Sequence, residues 1–150
     1  MDNCFSVCGC DDYEGVTKSD LDRYTDKIEN VLNDEKGRRL FRNFMFSCQM
    51  DSGRRVLDLW ENIDKLLNYA SDVEGTSFGR FLRDYDRLMN AAERIEELDF
   101  ATMERMVNAR DSENKEGMEE ALKVLKTETA KSLRREYDAF RHRFIPRSSK

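Results

Sequence analysis

The sequence predicts an all-α protein built as a compact bundle of several helices, and three observations support this fold class. Apolar residues recur at intervals of three and four along most of the 150-residue chain, which is the period of an amphipathic helix. One proline and seven glycines are too few turn signals for a sandwich of many short strands. Hydrophobic residues (39%) and charged residues (38%) are balanced as in one folded domain with a well-solvated surface.

A capping signal opens the first predicted helix. Thr17 and Ser19 each have an aspartate three residues later, so the hydroxyl of either residue can cap the helix N-terminus. The apolar face of this helix consists of Leu21, Tyr24, Ile28, Val31 and Leu32. A second helix begins near Glu35, and its core stripe consists of Phe41, Phe44, Met45 and Cys48.

The rest of the chain predicts a break followed by four further helices. Asp51-Ser52-Gly53 reads as the break, and residues 71–76 read as a polar loop. The helix between them carries Leu57, Trp60, Ile63 and Leu67, and residues 78–95 follow the helical period over five turns. Asp99 can cap a short helix containing Met103, Met106 and Val107. The last helix is long and runs to Pro146, with the stripe Met118, Leu122, Leu125, Leu133, Tyr137, Phe140 and Phe144.

Catalytic, metal and nucleotide motifs are missing from the sequence. His142 is the single histidine, and nothing in the sequence places a nucleophile or an orienting group beside it. There is no phosphate-binding glycine loop and no H-E-x-x-H pair. A net charge of −5 disfavours general nucleic-acid binding. We therefore expect a non-enzymatic protein that acts on a partner and has no cofactor, metal or nucleic-acid ligand.

Three cysteines mark the N-terminal end. Residues 1–16 predict a flexible arm that carries Cys4, Cys8 and Cys10, and the arm lacks the features of a secretion signal. A reducing compartment disfavours a disulfide, and three thiolates without a fourth ligand make a poor structural zinc site. Reversible S-acylation of these cysteines fits better, because two acyl chains anchor a protein stably. A metal or redox role, or no role, is the alternative.

The C-terminal end is basic. Residues 131–150 hold seven Lys or Arg side chains against two acidic ones, and residues 147–150 form a basic tail. Such an end could meet anionic lipid or an acidic protein surface, although cations are also common at an ordinary helix C-terminus. With the cysteines, this predicts a cytoplasmic protein held peripherally at the inner face of the plasma membrane.

Residues 27–45 resemble the opening of a regulator of G-protein signalling (RGS) domain. That family shows a short helix, then a Gly, a Phe four residues later and another Phe three residues after that, a spacing that Gly37, Phe41 and Phe44 reproduce. The family continues with an acidic residue, an apolar one and a Trp, and Leu57-Asp58-Leu59-Trp60 stands in that place. The resemblance covers residues 27–67, extends more weakly to about residue 100, and implies an RGS-like helical domain over residues 17–146.

The resemblance implies a regulator that inhibits heterotrimeric G-protein signalling by binding an activated Gα subunit. GTPase-activating members carry a Glu-Asn pair before the Trp segment, and this asparagine steadies the catalytic glutamine and switch regions of Gα. Arg55-Val56 occupies those places here, about three more residues surround Asp51-Ser52-Gly53, and a second expected Asn has no counterpart near Glu97-Leu98.

The partner-binding residues expected from this comparison are Ser52, Arg55 and Val56. Valine cannot form the hydrogen bonds of asparagine, so the usual mechanism of GTPase activation is not expected here. Two expectations stay open, namely acceleration of hydrolysis in a non-standard way and simple competition with effectors. The alternative is an RGS-homology interaction module or scaffold that has no GTPase-activating function.

Overall fold

Eight helices make up most of the chain that the computed structural model describes, which is residues 15–72 and 78–145. They are α1 (Lys18–Tyr24), α2 (Ile28–Leu32), α3 (Glu35–Ser47), α4 (Asp51–Asp72), α5 (Phe78–Ala92), α6 (Phe100–Ser112), α7 (Lys115–Ser132) and α8 (Arg134–Phe144). No strand occurs in these two ranges, so the all-α prediction is confirmed. Within the same ranges, no helix is both long and apolar enough to cross a lipid bilayer.

The helices form two compact units. Among the described residues, the first unit combines residues 15–54 with residues 133–145, and the second unit consists of residues 55–72 and 78–132. The boundary falls inside α4, so the first turn of α4 belongs to the first unit. Most of the predicted arm and all of the basic tail lie outside the described residues.

The N-terminal helix is capped as predicted but is shorter than expected. Thr17 accepts the Asp20 backbone N–H at 3.0 Å, and the Asp20 carboxylate accepts the Thr17 N–H at 3.0 Å, which completes a capping box. One continuous helix to Leu32 was expected, whereas α1 ends at Tyr24 and α2 begins at Ile28. The Thr25 hydroxyl donates to the Leu21 carbonyl at 2.8 Å, and this local bond competes with helix continuation.

An aromatic cluster forms the core of the first unit. The Phe140 ring is fully buried and lies 4.8–6.0 Å, centroid to centroid, from four aromatic rings, namely Phe41, Phe44, Tyr137 and Phe144. The Tyr137 hydroxyl donates to the Tyr24 backbone carbonyl at 2.6 Å, and burial raises the Tyr137 pKa to about 12. These contacts attach α8 to the N-terminal helices.

Asp34 caps α3 and accepts hydrogen bonds from polar groups beside that aromatic core. It accepts the Tyr24 hydroxyl at 2.7 Å and the Lys36 backbone N–H at 3.0 Å. The pKa of Asp34 lies below its ordinary value, chiefly because the Tyr24 hydroxyl donates to its charged form. Burial, followed by the hydrogen bond to Asp34, raises the pKa of Tyr24.

In the second unit, a hydrogen bond and an ion pair connect α5 to α6. The buried Tyr85 hydroxyl donates to the Met106 carbonyl at 2.8 Å, which links α5 to α6. Arg110 adds a two-pronged ion pair to Asp86, with nitrogen–oxygen distances of 2.7 and 3.1 Å. The Asp99 carboxylate accepts the Thr102 N–H at 2.8 Å, so the predicted cap of α6 is confirmed.

The long final helix expected from Met118 to Phe144 is two helices instead. The Thr129 hydroxyl donates to the Lys126 carbonyl at 2.7 Å, and the Ser132 hydroxyl donates to the Thr129 carbonyl at 2.8 Å. Such back-bonding weakens the helical ladder, and α7 ends at Ser132. Leu133, which follows α7 in the chain and precedes α8, is buried, as the apolar stripe predicted.

Close packing around Gly37 leads to a stability prediction with a matched control. A Cβ at Gly37, the third residue of α3, would lie 2.9 Å from Tyr24 Cε1 and 3.0 Å from the Val31 carbonyl oxygen. A Cβ at Gly117, the third residue of α7, would meet nothing closer than 3.9 Å. We expect Gly37→Ala to lower the free energy of unfolding by about 1–3 kcal/mol through overpacking, and Gly117→Ala to raise it by about 0.5–1 kcal/mol. Urea unfolding measures both, and equal stability of the two variants would contradict the packing argument.

Candidate functional site

The corner between α3 and α4 carries the residues expected to bind a partner. α3 ends at Ser47, and Gln49, two residues later, lies in the left-handed region at φ 60°. The Gln49 N–H donates to the Phe46 carbonyl at 3.1 Å. The Met50 N–H donates to the Met45 carbonyl at 2.8 Å. These two bonds are the Schellman ending of a helix, with glutamine at the position that glycine usually fills.

The break predicted at Asp51-Ser52-Gly53 is therefore displaced. The chain turns at residues 48–50, and α4 already begins at Asp51. Gly53 has a packing role within the first turn, because a Cβ there would lie 2.7 Å from Met45 Sδ and 2.8 Å from Glu136 Cγ. A larger residue at this position would require the Met45 and Glu136 side chains to shift.

Glu136 of α8 lies against this same turn. One of its carboxylate oxygens is buried and has no hydrogen-bond partner among the described residues. The N-terminus of a helix favours a nearby carboxylate, which offsets part of the cost of burying the charge. Together, Gly53 and Glu136 fix the position of the first turn of α4 against the first unit.

The three expected partner-binding residues differ in exposure. Ser52 and Arg55 are exposed on α4, three residues apart on the same helix. Val56 is only 3% exposed and belongs to the core. In this conformation of α4, the side chains of Ser52 and Arg55 are accessible to a partner and the side chain of Val56 is not.

Trp60 lies one turn further along α4 and is buried. The Lys126 ammonium sits 4.9 Å from the centre of its ring and pairs with Asp64 at 2.7 Å. Trp60 is therefore a core residue of the second unit, with a cation over its ring.

The described residues hold no group of three or more His, Cys, Asp or Glu side chains that could bind a metal ion. His142 is exposed on α8, and its Nδ1 lies 3.2 Å from the Asp138 carbonyl oxygen. Cys4, Cys8 and Cys10 lie outside the described residues. Cys48 is half-buried at the end of α3 and is disulfide-bonded, whereas the core stripe predicted a buried cysteine and the expected reducing compartment disfavoured disulfides.

Phe46 is a surface residue that the sequence analysis did not single out. It is 66% exposed at the end of α3, and the Arg54 guanidinium lies 5.0 Å from the centre of its ring. Its helical position could have revealed it, because Phe46 follows Arg39 by seven residues and Arg42 by four, on the side opposite the core stripe.

A family model of the Regulator of G protein signaling domain matches residues 27–142, which is more than three quarters of the chain. The chain belongs to the RGS family. The resemblance proposed from Gly37, Phe41, Phe44 and Trp60 is thus confirmed, and an RGS domain is a regulatory module without catalytic activity of its own. Searches of curated proteins and of solved structures each found no match.

The α3–α4 corner contains the positions that the family comparison singles out. Arg55 and Val56, which the sequence resemblance predicts at the positions of the family's Glu-Asn pair, lie in the second turn of α4. Asp51, Ser52 and Gly53, where the resemblance predicts additional residues, form the first turn of that helix. The predicted domain limits at residues 17 and 146 remain predictions.

Proposed function

We propose that this RGS domain binds an activated Gα subunit of a heterotrimeric G protein through the α3–α4 corner, without the usual GTPase activation. The observation that carries the proposal is the burial of Val56 beside the exposed Arg55. A buried valine offers no amide to a catalytic glutamine, while an exposed arginine still offers a contact to a partner.

The chemistry of Gα allows an RGS domain to bind without activating the GTPase. A Gα subunit holds its catalytic arginine in cis and supplies the groups that hydrolyse GTP. An RGS domain that only occupies the switch surface competes with effectors and inhibits signalling without a change in the hydrolysis rate. Arg55 replaces an acidic residue of activating members, so the partner surface that it meets is expected to be acidic.

Two measurements on one protein test the proposal. The first is the affinity for a panel of Gα subunits, each loaded with GDP or with GDP and aluminium fluoride. The second is single-turnover GTP hydrolysis with the domain in excess. We expect state-selective binding to at least one Gα and a hydrolysis rate within about twofold of Gα alone, because the steadying amide is missing. Lack of state-selective binding to every Gα would overturn the proposal.

The second candidate function is an interaction module with a partner other than Gα. The charge reversal at Arg55 favours it, because that change removes a residue typical of activating members. Arg55→Glu separates the candidates. For a Gα partner with an acidic contact we expect weaker binding by about five- to tenfold, whereas a domain unrelated to Gα shows no Gα binding before or after the change.

We also infer that S-acylation within the cluster of Cys4, Cys8 and Cys10 holds the protein at the inner face of the plasma membrane, for which two acyl chains suffice. The spacing of three cysteines within seven residues supports this inference. Metabolic labelling with an alkyne palmitate analogue should give a hydroxylamine-sensitive signal that the triple Cys→Ser variant lacks. Cys48→Ser is the control, since Cys48 lies outside the N-terminal cluster and its loss should leave a label on that cluster in place. A label that survives in the triple variant would contradict acylation at these positions.

A further inference from the structure

The disulfide partner of Cys48 follows from the cysteine content of the chain. Cys48 directly follows α3, is half-buried and is disulfide-bonded. The sequence contains four cysteines, and the other three are Cys4, Cys8 and Cys10, which form the N-terminal cluster. Because the structure consists of a single chain, a bond within it can end only in this cluster.

The N-terminal cluster can reach Cys48 along the chain. The Lys36 ammonium donates to the Gly15 carbonyl at 2.7 Å, so Gly15 lies beside the first turn of α3. Cys48 follows Lys36 by twelve residues, a distance of about 18 Å along a helix axis. Even Cys10, five residues before Gly15, can extend about 17 Å, and a disulfide adds up to about 7 Å between Cα atoms. The other two cysteines of the cluster have more chain to span the same distance.

The disulfide lies at the corner that carries the proposed partner site. Cys48 directly precedes Gln49, the residue of the turn in the left-handed region. Ser52 and Arg55 follow Cys48 by four and seven residues. Disulfide geometry keeps the two joined Cα atoms within about 7 Å, so the residues next to the bonded cluster cysteine stay beside the α3–α4 corner. A segment held there competes with a Gα subunit for this surface at a high effective concentration.

We propose that this disulfide is a redox switch, which in its oxidised form ties the N-terminal segment to the α3–α4 corner and obstructs Gα. In the reduction, the thiolate of a small thiol attacks one sulfur of the bond and forms a mixed disulfide, which a second small thiol resolves. The protein gains two electrons and two protons and is left with free Cys48 and one free cluster thiol, while the two small thiols leave as their disulfide. Oxidation is the reverse exchange. The inference rests on the proposed function, because the obstructed ligand is Gα.

The switch is compatible with S-acylation of the cluster. The disulfide uses one of the three cluster cysteines, so two stay available in the oxidised form, which is the number of acyl chains that stable anchoring needs. Reduction makes the third cysteine available as well. The oxidation state is therefore expected to change access to the corner without releasing the protein from the membrane.

The connectivity is tested on the full chain by non-reducing peptide mapping. The protein is equilibrated with oxidised glutathione, free thiols are blocked with N-ethylmaleimide, and trypsin cleaves after Lys18, Arg42 and Arg54. We expect a species that joins peptides 1–18 and 43–54 and disappears on treatment with dithiothreitol, from a protein that runs as a monomer on a non-reducing gel. A Cys48 peptide that carries the maleimide, or two such peptides joined to each other, would overturn the proposal.

The effect on the partner site is tested by affinity for the same Gα subunits in the GDP–aluminium-fluoride state. We expect reduction of the wild-type chain to strengthen binding about tenfold, as is typical of two coupled sites. Cys48→Ser should bind as tightly as the reduced wild type, with or without dithiothreitol. The triple Cys→Ser variant of the cluster should behave in the same way. It leaves every described residue unchanged, so it decides the result even if Cys48→Ser folds poorly.

The outcomes separate the switch from the proposed function. If both oxidation states bind a Gα subunit equally, the function stands and the switch is wrong. If neither state binds any Gα subunit, the proposed function fails and the obstruction fails with it. Urea unfolding then decides whether the tether exists. The disulfide closes a loop of about 40 residues, so reduction should lower the urea midpoint of the wild type and leave that of Cys48→Ser unchanged. A wild-type midpoint that does not respond to reduction would contradict the tether.

Discussion

Replacing Val56 with Asn is expected to lower the free energy of unfolding by about 3 kcal/mol and to leave GTP hydrolysis by Gα unaccelerated. The change introduces the residue type that the sequence resemblance predicts here in activating RGS domains, at a position that is 3% exposed. It removes a buried apolar side chain, worth about 1.5–3 kcal/mol, and adds an amide that must find hydrogen-bond partners in the core. Thermal and urea unfolding measure the first effect, and single-turnover hydrolysis measures the second.

Val107→Asn is the matched control for this variant. Val107 lies on α6 with 41% of its surface exposed, so the same substitution there should change stability by no more than about 0.5 kcal/mol. The double variant Arg55→Glu with Val56→Asn rebuilds the whole family pair. Strong acceleration of hydrolysis by either variant at Val56 would show that the position reaches Gα, and our interpretation of the site would be wrong.

Truncation of Phe140 is expected to have the largest effect on stability, about 3–5 kcal/mol for Phe140→Ala. Its ring is fully buried among four other aromatic rings, so alanine leaves a cavity that the neighbouring helices can close only in part. α8 also carries Glu136, which packs on Gly53 in the first turn of α4. We therefore expect Gα affinity to fall as well, because the corner loses its support.

Urea unfolding and titration with Gα quantify these two losses. Phe100→Ala is the control, since that exposed ring should contribute little to the free energy of unfolding. A Phe140→Ala variant with near-native stability would mean that the aromatic cluster is not the main core of the first unit. Native stability with reduced affinity would separate the two roles of α8.

Helical periodicity was sufficient to predict the fold class and most of the core. The stripes through Phe41, Trp60 and Tyr85 are buried as expected, because one apolar face of each helix must leave water. Helix ends were harder to predict. The hydroxyls of Thr25, Thr129 and Ser132 donate hydrogen bonds to backbone carbonyls. Such bonds depend on local geometry, so composition alone does not reveal them.

The candidate site was predicted in sequence position but not in conformation. Gly53 looked like a turn residue, and its role became evident only from the approach of Met45 and Glu136, which are distant in the chain. The actual turn uses Gln49 in the left-handed region, where glycine or asparagine would be the usual signal. For Val56, the comparison with the family indicated the position, but burial could not be inferred without the helix that begins at Asp51.

The early start of α4 has a consequence for the thermodynamics of association. Fixing a flexible backbone residue costs about 1–2 kcal/mol of conformational entropy. At Asp51, Ser52 and Gly53 that cost is met when the domain folds, because these residues are already helical. A ligand that docks on the corner then loses no free energy to ordering these residues, and its rate of association is governed by diffusion and orientation.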